Sequence, residues 1–318
     1  MTTTMNPSRR PQAGATAVTW GRRLRRVLAL VAVLAVTFVV VPQSTPRQSD
    51  VSLVKVRIAQ AVDHPRDVVW ILCLGSDARP GQRMVGTRAD AIQLVGLNLR
   101  TGAGTMIGIP RDSYVSIRGH GRNKINASMF FGGPQLMADS VARLVGVRPD
   151  YVFTTGFLGF RGMVRAINGV TVYSKFSFRD PVRPQGYHHG KNNLNPFQAL
   201  IFGRVRHPLP RGDFDRSANQ QELLRSILRK VRPNVSKPGY MERGLMAAVR
   251  YMNTDLKPTE LFRLAQGVTD VKPWALKGCV VQGGTGNVGG ASVVFPNVGQ
   301  ARRLGNDARR DGTLDHGC

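Results

Sequence analysis

Apolar residues along this chain fall into blocks whose spacing switches between continuous runs and helical stripes. Val68 to Leu74 is an unbroken apolar run closed by Gly75, the pattern of a strand buried on both faces. Ala91 to Leu97 and Thr105 to Ile109 predict two more strands, joined through the turn-rich Arg100 to Gly104. Pro134, in the favoured first-turn position, and Gly146 bracket a helix over 135–145. A second amphipathic helix over 157–167 leads to a short strand at 170–173. Pro, Gly, Asn and His crowd 178–195, which predicts a mobile loop. Asp215 is placed to cap a helix running to Val231, with Leu223, Leu224, Ile227, Leu228 and Val231 on one stripe. Helices over 241–252 and 258–266 and a strand over 276–282 follow, and the tail from Gly283 reads as Gly-rich and irregular. Strands and helices alternate without internal repeats, which predicts an α/β domain with helices layered over a sheet.

The N-terminal pattern is different. Arg22, Arg23, Arg25 and Arg26 precede Val27 to Val41, an apolar run ended by Pro42. That is short against the roughly 17–25 residues of a bilayer span, a mismatch that tilt or snorkelling arginines absorb. No Ala-x-Ala follows the run, so an uncleaved transmembrane anchor is expected over 22–42 rather than a cleaved signal peptide. The basic flank holds residues 1–21 inside as a disordered tail and puts the rest outside. Residues 43–66 read as a juxtamembrane stalk, with a short helix over 51–61, before a folded domain over 67–270 and a C-terminal extension over 271–318.

Charge sharpens the picture. The chain carries a net +26, and because no acidic residue precedes the anchor, the exported part keeps about +20. Such a surface attracts anionic headgroups and phosphate-rich polymers; on the outer side of a membrane, nucleic acid is not an expected partner. Cys73 lies inside the apolar run 68–74, which suits a core thiol. Cys279 and Cys318 remain, and an oxidising exterior permits them to pair; neither has a second cysteine at finger-like spacing for a metal.

Polar blocks fall just after strands, where α/β sheets gather ligand sites. They are Gly75-Ser76-Asp77-Ala78-Arg79, Arg88-Ala89-Asp90, Ile109-Pro110-Arg111-Asp112, Arg204-Val205-Arg206 and Asp213-Phe214-Asp215-Arg216. A guanidinium is always charged and offers a planar fork matched to phosphate oxygens. Asp77 and Asp90 are the candidate ligands of one Mg²⁺ or Mn²⁺, an ion that takes few carboxylates plus phosphate oxygens. Arg111 is aimed by Pro110. Arg204 and Arg206, on a strand, would share a face, with Arg216 and Gln220 on the first turns of the next helix. Each block has a bland alternative, surface salt bridges or a solvated helix start. His188 and His189 sit in the expected loop without a carboxylate partner. No nucleophile elbow, Walker loop or dinucleotide fingerprint is present.

Taken in order over about residues 68–232, these blocks, with Lys124-Ile125-Asn126-Ala127, Gly132-Gly133-Pro134, Ala199-Leu200 and Gln220-Gln221, resemble the LytR-CpsA-Psr family of membrane-anchored cell-wall glycopolymer transferases. The resemblance implies an α-β-α sandwich around a mixed central sheet, with an apolar tunnel for a lipid. It implies a phosphotransferase that moves a glycopolymer from a polyprenyl-pyrophosphate carrier to a peptidoglycan sugar hydroxyl at the membrane. Carried onto this sequence, Asp77 and Asp90 hold the metal, Arg79, Arg88, Arg111, Arg204, Arg206 and Gln220 contact the pyrophosphate, and Arg216 supports them. Phe153, Phe157, Phe160, Met163 and Val164 are candidates for the tunnel wall, although their spacing is equally that of a helix packed into core. Two other functions compete: a non-catalytic binder of lipid-linked polymers, and a transcriptional attenuator, which the expected topology disfavours.

Overall fold

β2 (Val68–Ser76) runs through the middle of a seven-stranded mixed sheet. The computed structural model describes residues 50–318 apart from 60–61, 63–66, 80–81 and 182, and apart from the side chains of residues 247, 248, 250 and 251. The expected tail and anchor lie outside the described residues. Among the described residues no helix is long and apolar enough to cross a membrane.

On one side β2 pairs antiparallel with β3 (Ala89–Asn98), β3 with β4 (Gly104–Gly108), and β13 (Leu276–Val280) closes that edge parallel to β4. On the other side β2 is parallel to β7 (Tyr151–Thr155). Next come β1 (Val51–Lys55), antiparallel to β7, and the two-residue β12 (Asn253–Thr254), parallel to β1. Residues 51–55, expected in a stalk with a short helix, are therefore a sheet strand. Val51, Leu53 and Val54 find partners a hundred residues away in β7, a pairing that local periodicity cannot reveal.

The continuous apolar run of β2 feeds two cores because side chains alternate across a strand. Val68, Trp70, Leu72 and Leu74 join Ile92 and Leu94 beneath α1 (Ala127–Val145) and α7 (Val298–Ala308). Val69 and Ile71 join Val95, Leu97 and Met106 beneath α4 (Asp213–Val231) and α6 (Pro258–Asp270). Helices thus cover both faces of the sheet, with α5 (Tyr240–Tyr251) beside α6. Cys73 is partly buried against the second core.

Pro134 opens a helix and Gly146 closes it as expected, but a short helical segment from Ala127 precedes it, joined across Gly132 and Gly133, whose φ and ψ are not helical. Two other expectations change. Residues 178–195 are not a loop without structure. They form β9 (Phe178–Asp180), β10 (Arg183–Tyr187) and β11 (Gly190–Leu194), the last paired with β8 (Val170–Ser174). Asn192 locks the turn at His188 and His189 by donating to the His188 and Gly190 carbonyls at 2.7 and 2.9 Å. Phe178, Tyr187 and Phe202 stack inside, in a third core shared with α2 (Phe157–Ala166), α3 (Pro196–Phe202) and Leu223 of α4.

The tail from Gly283 is also regular. β14 (Gly283–Val288) and β15 (Ala291–Pro296) form a hairpin whose two-residue loop, Gly289-Gly290, takes positive φ at both positions, as the favoured tight hairpin turn requires. Val294 bridges to Ser113, just before β5 (Tyr114–Ser116), which pairs with β6 (Arg122–Lys124). Cys279 and Cys318 are disulfide-bonded, tying the chain end to β13. The expected C-terminal extension therefore supplies a sheet edge and a covering helix.

Candidate functional site

The ladder between β2 and β3 pairs Gly75 with Ala91 and Ser76 with Ala89, leaving Asp90 as one extra residue. Such a bulge re-aims a side chain at a strand end. Here the Asp90 carboxylate accepts from Nη1 of Arg111, delivered by Ile109-Pro110 at the end of β4. One step further, Asp77 and Arg88 close the ladder: Asp77 N donates to Arg88 O at 3.1 Å and Arg88 N to Asp77 Oδ1 at 2.9 Å.

A second charged group assembles at the start of α4. Asp213 sits between Arg206 Nε at 3.1 Å and Arg216 Nη2 at 3.0 Å. Asp112 joins the two groups, with Lys124 at 3.1 Å and Arg111 and Arg206 both at 3.9 Å. Burial lowers the pKa of Arg216 and repulsion from Arg111 and Arg206 adds to this, while Asp213 and Asp90 oppose it. Burial also works against the charge of Arg111, but Asp90, then Asp112 and Asp213, outweigh it and hold its pKa above the usual value. Four cations face three carboxylates, so the cluster has an excess of positive charge for an anion.

These groups form one side of a cavity of about 680 Å³. Asp90, Arg111, Arg179, Asp180, Arg204, Arg206, Arg216 and Gln220 supply its polar lining; Phe157, Phe160, Ala199, Leu200, Leu223 and Leu224 supply apolar lining. Arg204 stands at the seam, its guanidinium 4.3 Å from the centre of the Phe157 ring. The site is an amphiphile's negative.

Arg204 and Arg206 lie in turns between α3 and α4, not on the expected strand, so their convergence comes from Asp213 and Phe157 rather than from alternation. Asp215 does not cap α4. Gly212 holds the position before the helix, and Asp215 accepts from the Arg211 backbone and guanidinium at 2.8 and 2.9 Å. Gln220 lines the cavity but is tethered, donating to Gly203 O at 3.0 Å and accepting from Gln93 at 3.2 Å. Asp77, Arg79 and Arg88 are not among the lining residues; Arg79 and Arg88 are exposed, and Asp77 adjoins Ser76, which does line the cavity. Of the tunnel candidates, Phe157 and Phe160 line it. Val164 is buried in the third core, Phe153 packs against the second, and Met163 is not a lining residue.

Sequence reasoning missed the floor. Gln93 donates to Ser217 Oγ at 2.9 Å, and Gln221 donates to Gln93, to Met106 O and to Cys279 O at 3.2, 3.3 and 2.8 Å, joining α4 to β3, β4 and β13. The available signal was Gln93 itself, a lone polar residue within an apolar strand. Asp112 was expected to orient Arg111, and it lies 3.9 Å from that guanidinium; Asp213 was within a motif but had no assigned role.

Among the described residues no three His, Cys, Asp or Glu side chains gather as a metal site. Asp77 and Asp90 still fit a hard divalent cation. Each uses only Oδ1 in the hydrogen bonds described, leaving Oδ2 to an ion whose remaining ligands are waters and phosphate oxygens.

The fold recurs in known proteins. The teichoic acid transferase TagU of Bacillus subtilis strain 168, named polyisoprenyl-teichoic acid–peptidoglycan teichoic acid transferase, is 36% identical over 168 residues, 52% of this chain and 53% of that protein. TagU of Bacillus cereus strain AH820 is 31% identical over 205 residues, 64% and 65% of the two chains. The chain thus spans about half to two thirds of the length of these relatives. The crystal structure of B. subtilis TagV superposes with a TM-score of 0.64 at 24% identity, covering 79% of this chain and 100% of that one. TagT with bound octaprenyl pyrophosphate superposes at 0.60 and 22% identity, covering 81% and 98%. These likenesses establish the fold, and a family profile matches residues 36–310: the chain belongs to the LytR_cpsA_psr family.

Proposed function

We propose that this protein is a phosphotransferase that moves a glycopolymer from a polyprenyl-pyrophosphate carrier to a sugar hydroxyl of peptidoglycan, held at the outer membrane surface by residues 22–42. The observation that carries this reading is a cavity that combines five arginines with a wall of Phe, Leu and Ala, which suits a ligand with a pyrophosphate head and an isoprenoid tail. The names of the TagU relatives and the lipid bound to TagT support it.

In the reaction the acceptor hydroxyl oxygen attacks the sugar-linked phosphorus. A new phosphodiester bond forms, the pyrophosphate P–O bond breaks, and polyprenyl phosphate leaves with the electron pair. Negative charge builds on the leaving oxygen, and cations already fixed in place stabilise it without waiting for solvent to rearrange. Arg111, Arg204, Arg206 and Arg216 perform that task here. The Phe157 and Leu200 side binds the tail, turning remote binding into orientation of the phosphates. The hydroxyl proton passes to a carboxylate of the Asp77 and Asp90 pair or to water. Bound through those two residues, Mg²⁺ or Mn²⁺ supplies further neutralisation of phosphate charge.

The test is turnover of a polyprenyl-pyrophosphate glycan by the full chain with a peptidoglycan fragment. Release of polyprenyl phosphate with the glycan joined to the acceptor is expected, lost in Arg111→Ala and on chelation and restored by Mg²⁺. Donor binding without release, across several acceptors, would assign the protein to the non-catalytic binders.

A further inference from the structure

The helices that wall the apolar half of the cavity carry apolar residues on their outer surface as well. Phe157 and Phe160 of α2 and Leu200 of α3 line the cavity, whereas Leu158 and Phe197 of the same helices are 47% and 42% exposed. The two exposed side chains belong to one patch: Arg161, one turn after Leu158, lies with its guanidinium 5.4 Å from the Phe197 ring centre. Arg161 and Arg165 form no salt bridge among the described residues. From Phe157 to Arg211 the chain carries nine Lys or Arg residues and a single acid, Asp180. Apolar side chains set among unpaired cations match an anionic lipid surface, in which rings enter the interface and guanidinium groups meet phosphates.

The path of the chain points to the same face. Asp50, the first described residue, accepts at its carbonyl from Gly156 N at 2.8 Å, immediately before α2. The apolar run of the N-terminus ends at Val41, nine residues earlier, and nine residues reach at most about 30 Å when fully extended. A chain anchored by that run cannot hold α2 far from the bilayer.

We propose that the outer face of α2 and α3, with Leu158 and Phe197 as its apolar contacts and Arg161 and Arg165 as its cationic ones, docks on the anionic lipid surface of the membrane. The cavity wall then stands at the interface, so an isoprenoid tail passes from bilayer to cavity without crossing open water. The inference rests on the anchor and the lipid donor proposed above, but its test does not require turnover.

The full chain is placed in nanodiscs of phosphatidylcholine alone, or with a third of the lipid as phosphatidylglycerol, and amide hydrogen exchange is followed. Slowing of exchange over 157–166 and 196–202 in the anionic discs is expected, with 298–308 unchanged as the internal reference. The double variant Leu158→Ser with Phe197→Ser should lose most of that protection. Arg161→Gln should weaken it about fivefold, the contribution of one arginine near such a surface. Exchange that ignores lipid charge in the wild type, with 298–308 confirming a folded domain, overturns the proposal. So does protection that appears only with two copies per disc, which assigns the face to a second copy of the chain. If protection appears but no donor is turned over, the docking stands and the catalytic reading fails.

Discussion

The two charged groups of the cavity are built in opposite ways. Asp90 and Arg111 meet at strand ends, each about a quarter exposed, and the pair is held by a bulge and a proline rather than by surrounding core. Asp213 and Arg216 are almost wholly buried, at 4% and 8% side-chain exposure, and Arg206 closes over them. An exposed pair can be traded for a ligand at little cost, because water screens it. A buried pair cannot, because losing one partner strands the other charge in a medium that solvates it poorly. In the proposed reaction the first group engages phosphate and metal, while the second keeps the first in position and adds to the field.

The largest effect expected from this contrast is that of Asp213→Ala. It leaves Arg216 buried opposite Arg111 and Arg206 without its salt-bridge partner, with only the more distant Asp90 to offset its charge, and should cost about 3–5 kcal/mol in denaturant unfolding, together with turnover. Asp90→Ala should do the reverse. Turnover falls by roughly a hundredfold or more, while stability changes by about 1 kcal/mol or less. If both variants lost stability equally, the contrast would fail. Gly108→Ala tests the floor beneath both groups. A Cβ there would clash with Ser217 Oγ and come within 3.0 Å of Gln93 and Gln221, so stability should fall by about 1–3 kcal/mol in the same measurement.

The smallest effect lies far from the cavity. His316 has a raised pKa, first through its hydrogen bond to Asp307 and then through that residue's charge. Burial works against the Asp307 carboxylate, but its hydrogen bonds from His316 and Asp315 lower its pKa overall. Protonated His316 is favoured in the fold, so its contribution is complete below the ordinary value of 6.5 and disappears as pH rises through the raised one. The Asp307 contribution is present above 3.8 and is lost as pH falls through the lowered value. A slight excess in melting temperature of the wild type over His316→Asn should therefore appear between those limits and vanish in alkali.

The same contrast explains what could be read in advance. β2, the loop after it and the Ile109-Pro110-Arg111-Asp112 block were legible because an apolar run ending in Gly and polar residues is a local signal. The disulfide was legible because Cys73 fell inside such a run. Asp213 was in view, but its role depends on Arg206, which reaches it from a turn that alternation had placed on a strand. Residues 178–195 lack any period of two because Pro184, Gly186 and Gly190 interrupt strands of only three to five residues, which the third core holds in place. The Gly289-Gly290 hairpin carried a readable turn signal. Its register against Ser113 is set by a contact nearly two hundred residues away in sequence.

The central claim is that one cavity recognises an anionic head and an isoprenoid tail together. Its most direct test is calorimetric binding to the full chain of three ligands: octaprenyl pyrophosphate, inorganic pyrophosphate and octaprenol. The account predicts that the lipid pyrophosphate binds at least about a hundredfold more tightly than either half, a gap of about 2.7 kcal/mol. Equal affinity for pyrophosphate with and without the tail would show that the apolar wall takes no part, and would contradict it.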